Sequence, residues 1–207
     1  MALKIYGVAR SRTLRTLWMA TELGLQYEHI QVAVGAEGSR KPEFLKLNPN
    51  GEVPFIDDDG VVLSESMAIN LYLARKHGGP LQPASVAEIG QALMWTLWAA
   101  TGVERHAANC MYHTAMYSPA ERNPAVVKES LEALKGPLAV LEAALAKGGG
   151  TLIGGRFTVA DLNVVCVMFY LRHNPEAIAD KPAIRAWYAT SLARPAAKQA
   201  FALRGSD

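Results

Sequence analysis

Cysteine is scarce in this chain. Cys110 and Cys166 are the only two among 207 residues, and they form no CxxC pair. That argues against a dithiol redox cycle of the thioredoxin type. Both cysteines sit in apolar, helix-like surroundings, so buried free thiols are expected rather than a disulfide, which fits a reducing compartment. Long apolar runs are also missing: none reaches the ~20 residues that a membrane-spanning helix needs. The opening Met1–Gly7 turns polar too soon for the apolar core of a signal peptide, so a cytoplasmic location is expected. Neither sign of charge dominates, with 21 Lys and Arg against 19 Asp and Glu and a net charge of +2. No basic run interleaves with aromatics, which argues against a nucleic-acid partner. His106, His113 and His173 have no metal-ligand spacing to cysteines or carboxylates, and no metal is expected. Internal repeats and low-complexity segments are absent from the sequence.

What remains is an ordinary globular composition, half of it apolar, with room for one large domain or two small ones. Leu3–Gly7 reads as a short strand ended by glycine. Leu14, Leu17, Trp18 and Leu23 recur at helical spacing up to Gly24. Tyr27–Val34 alternates as a second strand would, so strand, helix and strand suggest a βαβ unit with a parallel pair. A helical turn over Pro42–Leu47 follows. His77-Gly78-Gly79-Pro80 stops the next helix. The expected organisation is a first domain over residues 1–79, a linker over 80–85 and a second domain over 86–207.

The second part shows no strand pattern longer than a few residues. Val86–Met116 reads as one long apolar-rich helix, kinked near Gly102. Asn123-Pro124 is an N-cap followed by proline at the first helical position, and that helix runs to Lys147. Gly136-Pro137 inside it is expected to kink or divide it, because proline removes a hydrogen bond and clashes with the preceding turn. Thr158-Val159-Ala160-Asp161 is a capping box with Asp in the place of Glu. It opens a helix over Leu162–Leu171, expected to be the central buried one. Pro182–Leu192 and Pro195–Leu203 close the chain.

The richest stretch lies between Asn50 and Asn70. Val53-Pro54 follows an Asn-Gly turn and precedes an apolar run. Proline there has to start a strand or sit at its edge, and the Val–Pro bond is a candidate cis peptide. A cis bond would turn the N–H and carbonyl of Val53 outward, free to pair with another extended peptide. Asp58-Asp59-Gly60 reads as a hairpin turn between Phe55-Ile56 and Val61–Leu63. Ser64-Glu65-Ser66 is expected to cap a helix over Met67–Lys76, leaving backbone N–H groups for a carboxylate. One short stretch thus offers a backbone edge and, a few residues on, an anion hole.

Asn48-Pro-Asn-Gly-Glu-Val-Pro-Phe-Ile56, then Leu63-Ser-Glu-Ser-Met-Ala-Ile-Asn-Leu-Tyr-Leu73, resembles the glutathione-binding half of glutathione S-transferases. Gly154-Gly-Arg-Phe-Thr-Val-Ala-Asp-Leu162 is similar to the motif that opens the core helix of that family's second domain, and Ala193-Arg-Pro195 to a common closing motif. The resemblance covers nearly the whole chain. It implies an α/β thioredoxin-like N-terminal domain, an all-α C-terminal bundle and a two-fold homodimer. It also implies glutathione as co-substrate, conjugated to a small hydrophobic electrophile, with neither nucleic acid nor membrane as partner. Two alternatives stay open: glutathione-dependent peroxide or disulfide reduction, and a non-catalytic glutathione-binding regulator.

Such an enzyme has to make a thiolate from a thiol of pKa about 8.5. A neutral hydroxyl donating to the sulfur, helped by a helix N-terminus, supplies part of the stabilisation. Ser11, in Tyr6-Gly-Val-Ala-Arg-Ser11, is similar to the nucleophile-activating serine of serine-type transferases of plants and bacteria. Thr13 and Tyr6 are its rivals, and a plain helix-capping role for Ser11 is the structural alternative. Arg10, Arg12 and Arg15 crowd the same mouth. Carried across by the resemblance, Arg40 or Lys41 meets the glycine carboxylate of glutathione. Val53 pairs with its cysteinyl backbone, and Glu65 and Ser66 take the γ-glutamyl end. Glu52 stands where a glutamine is frequent, and a carboxylate cannot donate as an amide can. Trp98, Arg105, Met111, Tyr112 and Met116 are candidates for the electrophile pocket.

Overall fold

The structure, a computed structural model, describes residues 3–205. It groups them into two compact units: one holds the chain up to Gln82 together with the segment from Leu192 on, the other holds Pro83–Ser191.

In the first unit β1 (Leu3–Tyr6) leads into α1 (Thr13–Glu22) and β2 (Tyr27–Ile30). The two strands are parallel, with Leu3 opposite Tyr27 and Tyr6 opposite Ile30. β2 stops at Ile30, short of the expected Val34, because its partner strand runs out at Tyr6. After the short α2 (Pro42–Leu45) come β3 (Phe55–Asp58), β4 (Val61–Ser64) and α3 (Ser66–His77). Both later pairings are antiparallel, and the four-stranded order is β2-β1-β3-β4. The βαβ, ββα plan expected of a thioredoxin-like domain is present.

The hairpin turns on Asp59 (φ 55) and Gly60 (φ 88). A two-residue turn of this kind needs positive φ at both positions, which glycine and aspartate tolerate best. Asp58 is buried and accepts hydrogen bonds from the Tyr72 hydroxyl at 2.9 Å and Lys76 Nζ at 2.6 Å, tying the hairpin to α3.

The last helix, α9 (Pro195–Ala202), belongs by its contacts to this first unit and not to the bundle in which the sequence places it. The reason is a single acid. Glu22 at the end of α1 takes both Arg194 Nε (2.6 Å) and Nη2 (2.7 Å), and also accepts from Trp18 Nε1 at 2.9 Å. Trp18 packs edge-on against Phe201. A two-pronged guanidinium–carboxylate pair fixes orientation as well as proximity.

The second unit is helical. The expected helix over Val86–Met116 is α4 (Val86–Trp98) and α5 (Glu104–Met111), with π-helical turns at Ala99–Val103 and Tyr112–Met116. α6 (Pro124–Lys147) stays one helix despite Pro137, which corrects the expected division. Its buried stripe, Ser130, Leu134, Leu138, Leu141 and Leu145, runs through the proline without a break, so packing outweighs one lost hydrogen bond. α7 (Val159–Met168) is buried at every position, as expected of the central helix; α8 spans Pro182–Leu192.

The capping box of α7 is complete, and Asp161 does more than cap. Its carboxylate accepts from Thr158 N and Oγ1 (both 3.0 Å) and Trp187 Nε1 (3.0 Å) in the interior, and from the half-buried Leu152 N (3.0 Å). Asp161→Ala strands several buried donors at about 1–3 kcal/mol each. Urea denaturation is expected to show a loss of at least ~3 kcal/mol; a loss below ~1 kcal/mol contradicts this role for the carboxylate.

Candidate functional site

The loop between β1 and α1 carries the hydroxyl candidates. Ser11 N donates to the Val8 carbonyl at 3.0 Å, and Ser11 Oγ donates to the same oxygen at 2.8 Å. Thr13 N donates to Ser11 Oγ at 3.1 Å, so Ser11 takes the first N–H of α1 although Arg12, not Ser11, holds the N-cap place. Ser11 Oγ also lies 2.8 Å from Thr13 Oγ1. Ser11 is half-buried, whereas Thr13 is wholly enclosed.

Tyr6 points elsewhere. Its ring stacks on Phe55 at 4.4 Å and meets Phe44 edge-on, in a cluster with Val32 and Val53. Burial, then the Asp57 and Glu28 carboxylates, push its phenol pKa up. This ring is a core side chain.

Gly7 joins the hydroxyl loop to Val53. Its φ is +132, and a β-carbon there would collide with Thr13 Oγ1 and come within 2.9 Å of Val53 Cβ. Only glycine allows so close an approach at such a φ. The Val53–Pro54 peptide is cis, as expected. The Val53 side chain is buried, and among the described residues no backbone hydrogen bond reaches its N–H or carbonyl.

Two buried side chains, Asn48 and Ser39, hold that edge in place, and sequence reasoning gave neither a role. Asn48 Nδ2 donates to the Glu52 carbonyl at 2.8 Å, and Ser39 Oγ to the Gly51 carbonyl at 2.6 Å. The Asn48-Pro-Asn-Gly51 turn was the available signal, since asparagine in such turns habitually bonds nearby backbone.

The start of α3 differs from expectation. The helix begins at Ser66; Glu65 takes the N-cap place with φ 68 and ψ 103, and no side chain caps the helix. The Ser66 hydroxyl is engaged instead by Arg15 Nη1 at 3.3 Å. Arg15 is thereby drawn inward from α1 and buried, while Arg10 turns to the Arg204 carbonyl at 2.9 Å and Arg12 stays exposed. Glu65 holds a positive φ that a non-glycine residue adopts only when its surroundings over-determine it.

Arg40 forms an ion pair with Glu52 at 3.1 Å, its stem lying across Gly51. Both side chains are about 60% exposed. Lys41 is exposed at the N-cap of α2. The structure therefore connects Ser11, Thr13, Gly7 and Val53 in one chain of contacts, Arg15 and Ser66 in another, and Arg40, Gly51 and Glu52 in a third. Of the electrophile candidates, Met111 is buried, Trp98 half-buried, and Arg105, Tyr112 and Met116 are exposed on the second unit. No group of three or more His, Cys, Asp and Glu suited to a metal occurs among the described residues.

Models of the glutathione S-transferase N-terminal and C-terminal domains match residues 1–75 and 106–195. The chain belongs to the glutathione S-transferase family and is an enzyme of that kind. It is 34% identical to a probable glutathione S-transferase GSTF1 of Oryza sativa subsp. japonica, over 97% of this chain and 95% of that one. It is 35% identical to glutathione S-transferase 4 of Zea mays, over 96% and 91%. Its fold is similar to a theta class glutathione S-transferase of Xanthomonas axonopodis pv. citri with glutathione bound, at 33% identity and TM-score 0.87, covering 96% of each chain.

The glycine that lets these contacts close is testable. Gly7→Ala combines a collision with backbone strain and is expected to cost about 2 kcal/mol or more in chemical denaturation. Unchanged stability in that variant contradicts the close approach of Gly7, Thr13 and Val53.

Proposed function

We propose that this transferase activates glutathione through the Ser11 hydroxyl. The thiol loses its proton to solvent, Ser11 keeps its own, and the thiolate attacks an electrophilic carbon whose leaving group departs with the bonding pair. Lowering a thiol pKa by about two units takes roughly 2.7 kcal/mol of preferential anion stabilisation. A hydrogen bond to a charged group contributes about 1.5–3 kcal/mol and a helix N-terminus about 0.3–1 kcal/mol, so one hydroxyl at the start of α1 suffices in magnitude. The observation that carries the assignment is the contrast among the three candidates. Ser11 is half-exposed at the helix start, Tyr6 is stacked in the core, and Thr13 has no exposed surface.

Val53 offers the cysteinyl backbone of glutathione an amide and a carbonyl that the chain's own backbone leaves open. Ser66, steadied by Arg15, takes the γ-glutamyl carboxylate, and Glu65 its ammonium. Lys41 and Arg40 meet the glycine carboxylate. Arg40 has to exchange Glu52 for it, and an exposed ion pair of this sort is worth only about 0–1 kcal/mol, so the exchange is easy. Tyr112, Met116 and Tyr117, left exposed on the second unit, suit a hydrophobic electrophile. A cytoplasmic location accords with two buried cysteines that form no disulfide.

Leu93, Met94 and Leu97, one face of α4, are 46%, 53% and 60% exposed. The family resemblance implies a two-fold homodimer, and we assign that face to the second copy of the chain. Sedimentation is expected to give a dimer, and a monomer at micromolar concentration refutes the assignment.

Titration of the enzyme-bound thiol tests the central reading. Ser11→Ala is expected to raise its apparent pKa by about one unit or more, while Tyr6→Phe leaves it in place. Ser66→Ala is expected instead to weaken retention on immobilised glutathione. The opposite pattern, a shift with Tyr6→Phe and none with Ser11→Ala, sinks the serine assignment.

A further inference from the structure

The loop holding Ser11 contains a proton inventory that closes in only one way. A hydroxyl has one proton to give. Ser11 Oγ lies 2.8 Å from the Val8 carbonyl oxygen, which only accepts, so the Ser11 proton is directed there. The 2.8 Å contact between Ser11 Oγ and Thr13 Oγ1 then takes its proton from Thr13. Thr13 N–H is a second donor to the same oxygen, at 3.1 Å. Ser11 Oγ therefore accepts twice, which fills both its lone pairs, and its remaining capacity is to donate.

We propose that Thr13 is a positioning residue for thiol activation, its buried hydroxyl donating to Ser11 so that the Ser11 proton is the one offered to the glutathione sulfur. The proposal rests on the assignment of Ser11 as the thiol-activating group. When the thiolate arrives, the Ser11 proton turns from the Val8 carbonyl to the sulfur. Val8 loses little by this, because its oxygen keeps the Ser11 N–H at 3.0 Å. An oxygen that accepts two hydrogen bonds is a stronger donor in turn, since linked hydrogen bonds polarise one another by roughly 10–30% each. Both protons that Thr13 supplies, from side chain and from backbone, act in that direction.

Thr13 is suited to holding Ser11 and not to touching the sulfur itself. It has no exposed surface, and its hydroxyl faces Gly7, where a β-carbon would strike it. Its branched Cβ restricts the side chain to few rotamers. The absence of a side chain at Gly7 is thus what makes room for the second hydroxyl.

The test is an ultraviolet difference titration of the thiolate in the glutathione complex, for Thr13→Val, Thr13→Ser, Ser11→Ala and the double variant Thr13→Val with Ser11→Ala. Thr13→Val keeps the shape and removes the donor. It is expected to raise the apparent pKa by about 0.4 unit, roughly a 2.5-fold loss of thiolate below the pKa. Thr13→Ser is expected to restore the wild-type value. On the Ser11→Ala background, Thr13→Val is expected to add nothing. Should the valine variant not fold, Thr13→Ala is read in its place, with the same expected shift. A wild-type pKa in Thr13→Val, a failure of Thr13→Ser to restore it, or a shift that adds in full to that of Ser11→Ala each overturns the proposal. If Ser11→Ala itself leaves the pKa unmoved, the fault lies with the serine assignment beneath it.

Discussion

Val53 buries its side chain and leaves its backbone amide and carbonyl without a backbone partner among the described residues. Backbone groups of a buried residue are usually paired, so an edge left open here stands out. Much of the first unit serves to hold it. Asn48 and Ser39 fix the carbonyls of Glu52 and Gly51 just before it, the cis bond turns the chain just after it, and Tyr6 and Phe55 pack beneath it. Glutathione is an extended peptide whose backbone complements such an edge. In the function proposed above, this unpaired peptide unit is half of a two-stranded pairing whose other half is glutathione.

The same economy governs the hydroxyl loop. Ser11 accepts from the first N–H of α1 and, in the function proposed above, meets a thiolate, and these two roles are not rivals. Capping uses its lone pairs, through Thr13 N–H and Thr13 Oγ1, whereas thiol activation uses its proton. A group that is saturated as an acceptor is one whose donor role is the only one left. Arg15 shows a related reassignment: of the three arginines near the mouth it alone is buried at Ser66, where its charge lies next to a helix start lacking a side-chain cap. Positive charge beside a helix N-terminus favours an anion.

Much of this was legible in the residues. The Asp-Gly hairpin, the Val-Pro edge, the Asn-Pro start of α6 and the Thr-x-x-Asp box each depend on a few adjacent residues, and each is present where the sequence puts it. Where the structure departs from the sequence reading, local propensity gave way to packing or to a partner side chain. Pro137 does not divide α6, since a leucine stripe with a partner surface outweighs a local propensity. Ser64-Glu65-Ser66 does not cap α3 by side chain, because an arginine more than fifty positions earlier takes the Ser66 hydroxyl. α9 leaves the helical bundle because Glu22 grips Arg194. The last two were decided by a residue far away in sequence.

The sequence by itself determined the order of elements, the family and the short motifs that resemble its glutathione-binding half, because these are written in periodicity, turn chemistry and contiguous strings. Only the tertiary structure decided which hydroxyl is open and which is enclosed, that Tyr6 is core and Thr13 stands behind Ser11, and that Asn48 and Ser39 brace the Val53 edge. Exposure and hydrogen-bond direction are properties of what surrounds a side chain. Those surroundings are assembled from β1, α1, α3 and the loop before β3, which meet only when the chain has folded.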